Sequence, residues 1–282
     1  IMGTLRERMQ KELVLKGLSP RTRKIYVGEV EKFIRHHAKS PESLGSVEIK
    51  EYLHYLITSK GVASSAVNQA YSALKFFYHN TLGRPWEFTS IPRTRRPKIL
   101  PVILERDEID AILAATRNVK HRTILSIIYS AGLRVSEATR LRVVDIDSKR
   151  MQIRVQQAKG LKDRYSVLSR EVLGLLREYW SVYRPTKWLF PGCSPRQPVS
   201  VRTVQKVFEM SCKKAGIKKP VSIHTLRHSF ATHMLENGVG IHHIQLLLGH
   251  SSPRTTAVYL HVKRNDLVKI ESPLDTYRGT MR

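Results

Sequence analysis

His224-Thr225-Leu226-Arg227-His228 leads into a run, Leu226–Leu235, that reads as a helix. A further helix is expected over Ile241–Leu248, just ahead of Gly249-His250. Ser252-Pro253 then joins a capping serine to a first-turn proline, so Tyr259, in Val258-Tyr259-Leu260-His261, is expected on or beside a short helix. A second arginine stands far upstream in Ala131-Gly132-Leu133-Arg134-Val135-Ser136-Glu137. These stretches belong to a mixed, mainly helical half of the chain that carries the histidines, arginines and tyrosine.

Upstream, Ile109, Ile112 and Leu113 mark one helix, and Ile124 to Tyr129 reads as a buried helix ended by Gly132. Met151, Ile153 and Val155 alternate with polar residues, as do Tyr165 and Val167, which predicts two strands. Lys159-Gly160-Leu161-Lys162 lies between them as a hairpin tip. Helices are expected again over Val172–Tyr183 and Val201–Ala215. The first part of the chain, from Leu5 to Leu82, reads as all-helical. Ser19-Pro20 starts one helix, with Ile25, Tyr26, Val30, Phe33 and Ile34 as its apolar stripe; Val47–Ile57 and Ala66–Tyr78 are others. Pro85, Pro92, Pro97 and Pro101, mixed with Arg93, Arg95, Arg96 and Lys98, break the pattern. The expected organisation is a helical domain over residues 1–94, a basic linker over 95–101 and a second domain over 102–282.

Charge narrows the function. The 282 residues carry 49 Lys+Arg against 23 Asp+Glu, a formal net charge of +26. Such a surplus repels itself unless a polyanion neutralises it, and nucleic acid is the expected partner. A basic amphipathic helix with an aromatic apolar face is not evident, which weakens a membrane reading. Cys193 and Cys212 lack metal-ligand spacing and suggest no disulfide framework, which fits a reducing, cytoplasmic setting. No leader or spanning apolar run is expected, and Ile1 ahead of Met2 is left out of the fold.

Two arginines, two histidines and one tyrosine suffice to attack a phosphodiester without a metal. Guanidinium groups match the non-bridging oxygens with paired donors and keep their charge, so Arg134 and Arg227 form the expected clamp. A phenol with pKa of about 10 is almost wholly neutral near pH 7 and needs a base or a cationic field. His224 and His250 are suited to proton transfer or hydrogen bonding. The leaving 5′-oxygen needs a proton, for which Lys159 is the candidate and Lys162 its rival. His224 and His228 are spaced to chelate zinc, but Thr225 stands where a His-Glu-x-x-His site needs glutamate. No paired carboxylates for a two-metal nuclease and no glycine-rich phosphate loop are evident. No cofactor is expected.

These blocks, in this order, resemble the tyrosine recombinases. The match includes His224–His233, Leu247–Ser252, Thr255–His261, the Ala158–Arg164 segment similar to that family's hairpin-lysine motif, and the N-terminal segments Lys16–Thr22 and Asn68–Tyr78. The resemblance implies a helical, SAM-like core-binding domain and an α+β catalytic domain with a small β-sheet, closing on DNA as a C-shaped clamp. It implies a Tyr259 nucleophile forming a 3′-phosphotyrosyl link. Arg134, Arg227 and His250 would hold the phosphate, His224 would assist proton transfer, Lys159 would be the general acid and Glu137 would buttress the site. It also implies a homotetramer on two duplexes, with the tail after Tyr259 packed on a neighbour or on itself. Chain length resembles Xer-type and integron or transposon-borne members, although the short run from Trp188-Leu189-Phe190-Pro191 to Val199 leaves little room for the integron-type insertion. The charge hints at a mobile-element enzyme. The rival functions are a type IB-like topoisomerase and a catalytically silent DNA-binding accessory protein.

Overall fold

A computed structural model describes residues 2–84, 100–156, 163–250, 252–257 and 259. They fall into two compact units divided after residue 98. Lys159, Lys162, the proline-arginine segment 85–99 and the tail beyond Tyr259 lie outside the described residues.

The first unit is built from α1 (Met2–Leu15), α2 (Pro20–His37), α3 (Ser46–Thr58) and α4 (Ser64–Phe76). The start of α2 follows from its sequence: Pro20 needs no amide partner, and Ser19 Oγ accepts from the Thr22 amide at 3.2 Å. The last helix runs into a π-helical turn, Phe77–Thr81. That turn buries Phe77 and Tyr78 together, and the Tyr78 hydroxyl donates to Pro41 O at 3.0 Å. Phe33 of α2 meets Tyr52 and Tyr78 edge-on, at centroid distances of 5.3 and 6.3 Å. Leu13, Leu44, Ile49 and Leu74 fill the same core.

The second unit runs α5 (Arg106–Ala114), α6 (Val119–Ser130), α7 (Val135–Thr139), a 3₁₀ turn (Val143–Asp145) and three strands, β1 (Ile146–Asp147), β2 (Gln152–Val155) and β3 (Arg164–Val167). It continues with α8 (Arg170–Tyr183), α9 (Val201–Lys214), α10 (Ile223–Glu236), α11 (Ile241–Leu248) and α12 (Pro253–Thr256). The strands form an antiparallel sheet in the order β1-β2-β3, with Ile153 opposite both Ile146 and Ser166. Ile153 and Val155 turn into a core shared with Ile124, Leu125, Phe190 and Leu226. Helix α10 is buried on most sides; Ser229 Oγ inside it accepts from the Leu104 amide at 3.0 Å.

On β3 the sequence pattern misleads. Alternating Tyr165 and Val167 are the apolar residues, yet they are 58% and 37% exposed. The inward positions are Arg164 and Ser166. Ser166 Oγ donates to Ala131 O at 2.7 Å, and Arg164 is taken up by a carboxylate. Burying a polar strand face costs little when each group finds a partner, so hydrogen bonding outweighs hydrophobic patterning here.

Gly132 explains how distant blocks meet. Its φ of +60° is the left-handed region, and an added Cβ would lie 2.3 Å from the Phe230 ring. Only glycine lets the turn between α6 and α7 make that bend and dock on α10. The docking brings the start of α7 beside the start of α10.

Candidate active site

Glu137 is the hub. Within the first turn of α7 its Oε2 accepts from the Arg134 amide at 2.8 Å, and its Oε1 accepts from Arg134 Nη1 at 2.7 Å. Arg164 reaches across from β3 and donates from Nη1 and Nη2 to the two oxygens, at 3.0 and 2.8 Å. Arg227 Nη1 stands 3.7 Å from the same carboxylate. One carboxylate thus meets three guanidinium groups, a local excess of positive charge suited to a phosphate. Burial alone would raise the Glu137 pKa. The paired bonds and charge of Arg164, with the Arg134 bonds, outweigh it and bring the value to about 2.

Arg227 is deeply buried in α10. Its Nη1 donates to Gly132 O at 2.7 Å and its Nη2 to Leu248 O at 2.6 Å. It therefore ties the α6–α7 turn and the end of α11 to α10, while adding charge to the pocket. Burial, then the neighbouring Arg134 charge, lowers its pKa to about 10, so it stays cationic at neutral pH. Arg164 makes a parallel tie: Nε donates to Leu247 O at 2.8 Å. Gly249, the left-handed cap of α11 with φ of +63°, leaves the space it needs, because an added Cβ would lie 2.7 Å from Arg164 Cδ.

Three histidines rim this cationic centre. His224 is exposed in the first turn of α10, and its pKa is lowered by reduced hydration and then by Arg227 and Arg134. His250 follows Gly249, with Nδ1 2.9 Å from Thr256 Oγ1 of α12. Burial first, then Arg227, Arg134 and Arg164, pushes its pKa down to about 4. His228, one turn beyond His224, has Nδ1 3.0 Å from the Tyr259 hydroxyl. Tyr259 packs against Phe230, Ile244 and Leu248 and is only 3% exposed. Burial raises its pKa, while Arg227 and Arg134 pull it down. Among the described residues no group of three or more His, Cys, Asp or Glu side chains is arranged to hold a metal ion.

Arg134, Glu137 and Arg227, named from sequence, thus meet directly, and His224, His250 and Tyr259 all feel the Arg134 and Arg227 charges. Lys159 lies outside the described residues. Arg164, met only as the end of the Ala158–Arg164 segment, and His228, weighed only as a zinc partner of His224, are not among the site residues expected from sequence. For His228 the signal was present: it lies one helical turn from His224 and beside Arg227. For Arg164 it was hidden, because an arginine beginning a strand reads as solvent-facing.

Acid should destabilise this site in two stages. His250 binds its proton less tightly folded than unfolded, so stability falls as pH drops from its ordinary 6.5 toward about 4. Glu137 holds a lowered pKa, so its contribution is present above 4.5 and disappears as pH falls toward about 2. The first stage should cost on the order of 3 kcal/mol. Melting curves between pH 7 and 4 check it: His250→Asn should flatten the decline, and an equally steep decline in that variant would assign it elsewhere.

The family model described as the phage integrase family matches residues 103–266, and the model of the phage integrase N-terminal SAM-like domain matches residues 5–88. A Sinorhizobium fredii protein bearing the name integrase/recombinase y4qK is 41% identical over 276 residues, spanning 98% of this chain and 90% of its own length. Tyrosine recombinase XerA of Pyrococcus horikoshii is 32% identical over 90% of this chain and 88% of its own. Among solved structures, XerH recombinase in a post-cleavage complex with a palindromic difH substrate superposes with a TM-score of 0.74 at 20% identity, over 90% of this chain and 80% of its own. A lambda integrase tetramer bound to a Holliday junction superposes with a TM-score of 0.73 at 19% identity, over 91% of this chain and 76% of its own.

Proposed function

The chain belongs to the phage integrase family of tyrosine recombinases, and from that membership and its site we propose the reaction it runs. It is a site-specific DNA recombinase that cuts and rejoins strands through a 3′-phosphotyrosyl intermediate. The observation that carries the reading is the buried Glu137 carboxylate binding Arg134 while Arg227 stands beside it, with the Tyr259 phenol under the same charges. A phosphodiester entering here meets guanidinium donors already oriented, which is where a pentacoordinate transition state gains most.

In this mechanism Arg134, Arg227 and His250 hold the scissile phosphate and Glu137 fixes the two arginines. The Tyr259 oxygen attacks phosphorus, and the 5′-oxygen leaves with a proton from Lys159, the assigned general acid. His224 assists proton transfer. The covalent link retains the bond energy, so an incoming 5′-hydroxyl reverses the step without ATP, metal or cofactor. We assign residues 1–94 to a DNA-binding domain and 102–282 to the catalytic domain, joined by a basic linker over 95–101. The assembly is a homotetramer on two duplexes with tails exchanged between subunits, working in the cytoplasm, in a mobile-element setting. The lambda integrase tetramer on a Holliday junction supports the assembly by fold likeness.

The test is a plasmid carrying paired target sites. Recombinant joints should form only on paired sites, and binding should weaken steeply with salt as phosphate contacts release counterions. Relaxation of any supercoiled plasmid without joints would assign topoisomerase chemistry instead, and binding without either would assign an accessory role.

A further inference from the structure

Within the reading of Tyr259 as nucleophile, one residue outside the assigned set touches the reacting atom. We propose that His228 is the general base of cleavage, taking the phenolic proton of Tyr259 on Nδ1 as the tyrosine oxygen bonds to phosphorus.

The geometry carries the assignment. His228 Nδ1 and the Tyr259 hydroxyl are 3.0 Å apart, and the rings meet at 51° with centroids 5.8 Å apart. Among the described residues His228 is the side chain hydrogen-bonded to that hydroxyl. His250 turns its Nδ1 to Thr256 instead. The phenol is buried, so bulk water is poorly placed to take its proton, and a neighbouring imidazole is the available acceptor. Both rings are held: His228 by α10, and Tyr259 by Phe230, Ile244 and Leu248.

Charged and titratable groups around His228 favour a neutral ring. Its pKa is lowered by burial first, then by His224 and Arg227 of its own helix; His250 at the end of α11 and Tyr259 also face it. A neutral imidazole has a free lone pair for the phenol at physiological pH. The step balances. The tyrosine O–P bond forms and the P–O5′ bond breaks. The phenolic proton moves to His228 Nδ1, and a separate proton from the general acid completes the 5′-hydroxyl. On religation His228 returns its proton to the leaving tyrosine oxygen.

The experiment measures single-turnover formation of the covalent adduct on nicked duplex, from pH 5 to 9, for the full chain and for His228→Asn. Asparagine keeps a hydrogen-bonding group near the Nδ1 position but cannot accept a proton. The wild-type rate should rise with pH to a plateau below neutrality. The variant should be slower by about 10²-fold or more at pH 7 and should keep climbing with pH, as ionised phenol replaces the assisted one. A bridging 5′-thiolate leaving group, which needs no general acid, should leave the His228→Asn defect in place. Comparable melting temperature and DNA affinity exclude a folding cause, and His228→Gln gives a second variant if the first folds poorly. A variant rate within a few-fold of wild type, with an unchanged pH profile, would overturn the base assignment and leave Tyr259 as nucleophile. Absence of any Tyr259-dependent adduct in the wild type would overturn the underlying reading as well.

Discussion

Tyr259→Phe is expected to abolish covalent capture of DNA while leaving DNA affinity within about twofold. The change deletes one oxygen, and no other group in the site can replace it as a nucleophile at phosphorus. Phenylalanine keeps the apolar ring that packs on Phe230, Ile244 and Leu248, so the small cluster under α11 should survive. The lost hydrogen bond to His228 should cost about 1 kcal/mol of stability, because a half-buried imidazole can still find water. The substitution leaves every lysine and arginine of the chain in place. Adduct formation should therefore fall below detection with binding curves nearly superimposed. A variant that loses binding and cleavage together would show that Tyr259 supports the fold instead of the reaction.

Arg227→Lys is the second large effect. The substitution keeps the charge, so a purely electrostatic account predicts a mild phenotype. Geometry predicts otherwise. Arg227 spans Gly132 O and Leu248 O with two different nitrogens, at 2.7 and 2.6 Å, while standing beside Glu137. A single ammonium on a flexible stem cannot reach both carbonyls and still present paired donors to a phosphate. Cleavage should drop about 10²–10³-fold, the scale for removing one preorganised transition-state donor. Stability should fall by about 1–3 kcal/mol, since one buried carbonyl is left without its partner. Single-turnover cleavage and thermal melts separate the two. Cleavage within a few-fold of wild type would mean that Arg227 staples helices together and contributes little to the chemistry.

Much of this was legible in the residues alone, for a physical reason. Helices announce themselves through apolar spacing, caps and glycine stops, and Ser19-Pro20 and Gly132 act as their types dictate. Candidate site residues beside such stops, such as Arg134 after Gly132, inherit that legibility. Strand β3 does not. Its inward face is Arg164 and Ser166, buried because Glu137 and Ala131 O satisfy them, and such partners are invisible until the chain is folded. Arg164 is therefore recognisable as a second brace on Glu137 only in three dimensions. The His228–Tyr259 contact is similar: the helical spacing placed His228 beside His224, but which imidazole meets the phenol depends on where α12 leaves the chain. Gly249 shows the same limit, since its left-handed cap suits glycine on local grounds while its clearance for Arg164 is purely tertiary.

The Tyr259 oxygen is expected to bond to a DNA phosphorus without help from a metal. Mass spectrometry of the adduct trapped on nicked duplex in EDTA, after digestion, reads that bond. The expected product is a peptide containing Tyr259 that carries a 3′-phosphotyrosyl nucleotide, absent from Tyr259→Phe. A linkage to another residue, attachment through a 5′-phosphate, or an adduct that forms only when a divalent metal is restored would contradict it.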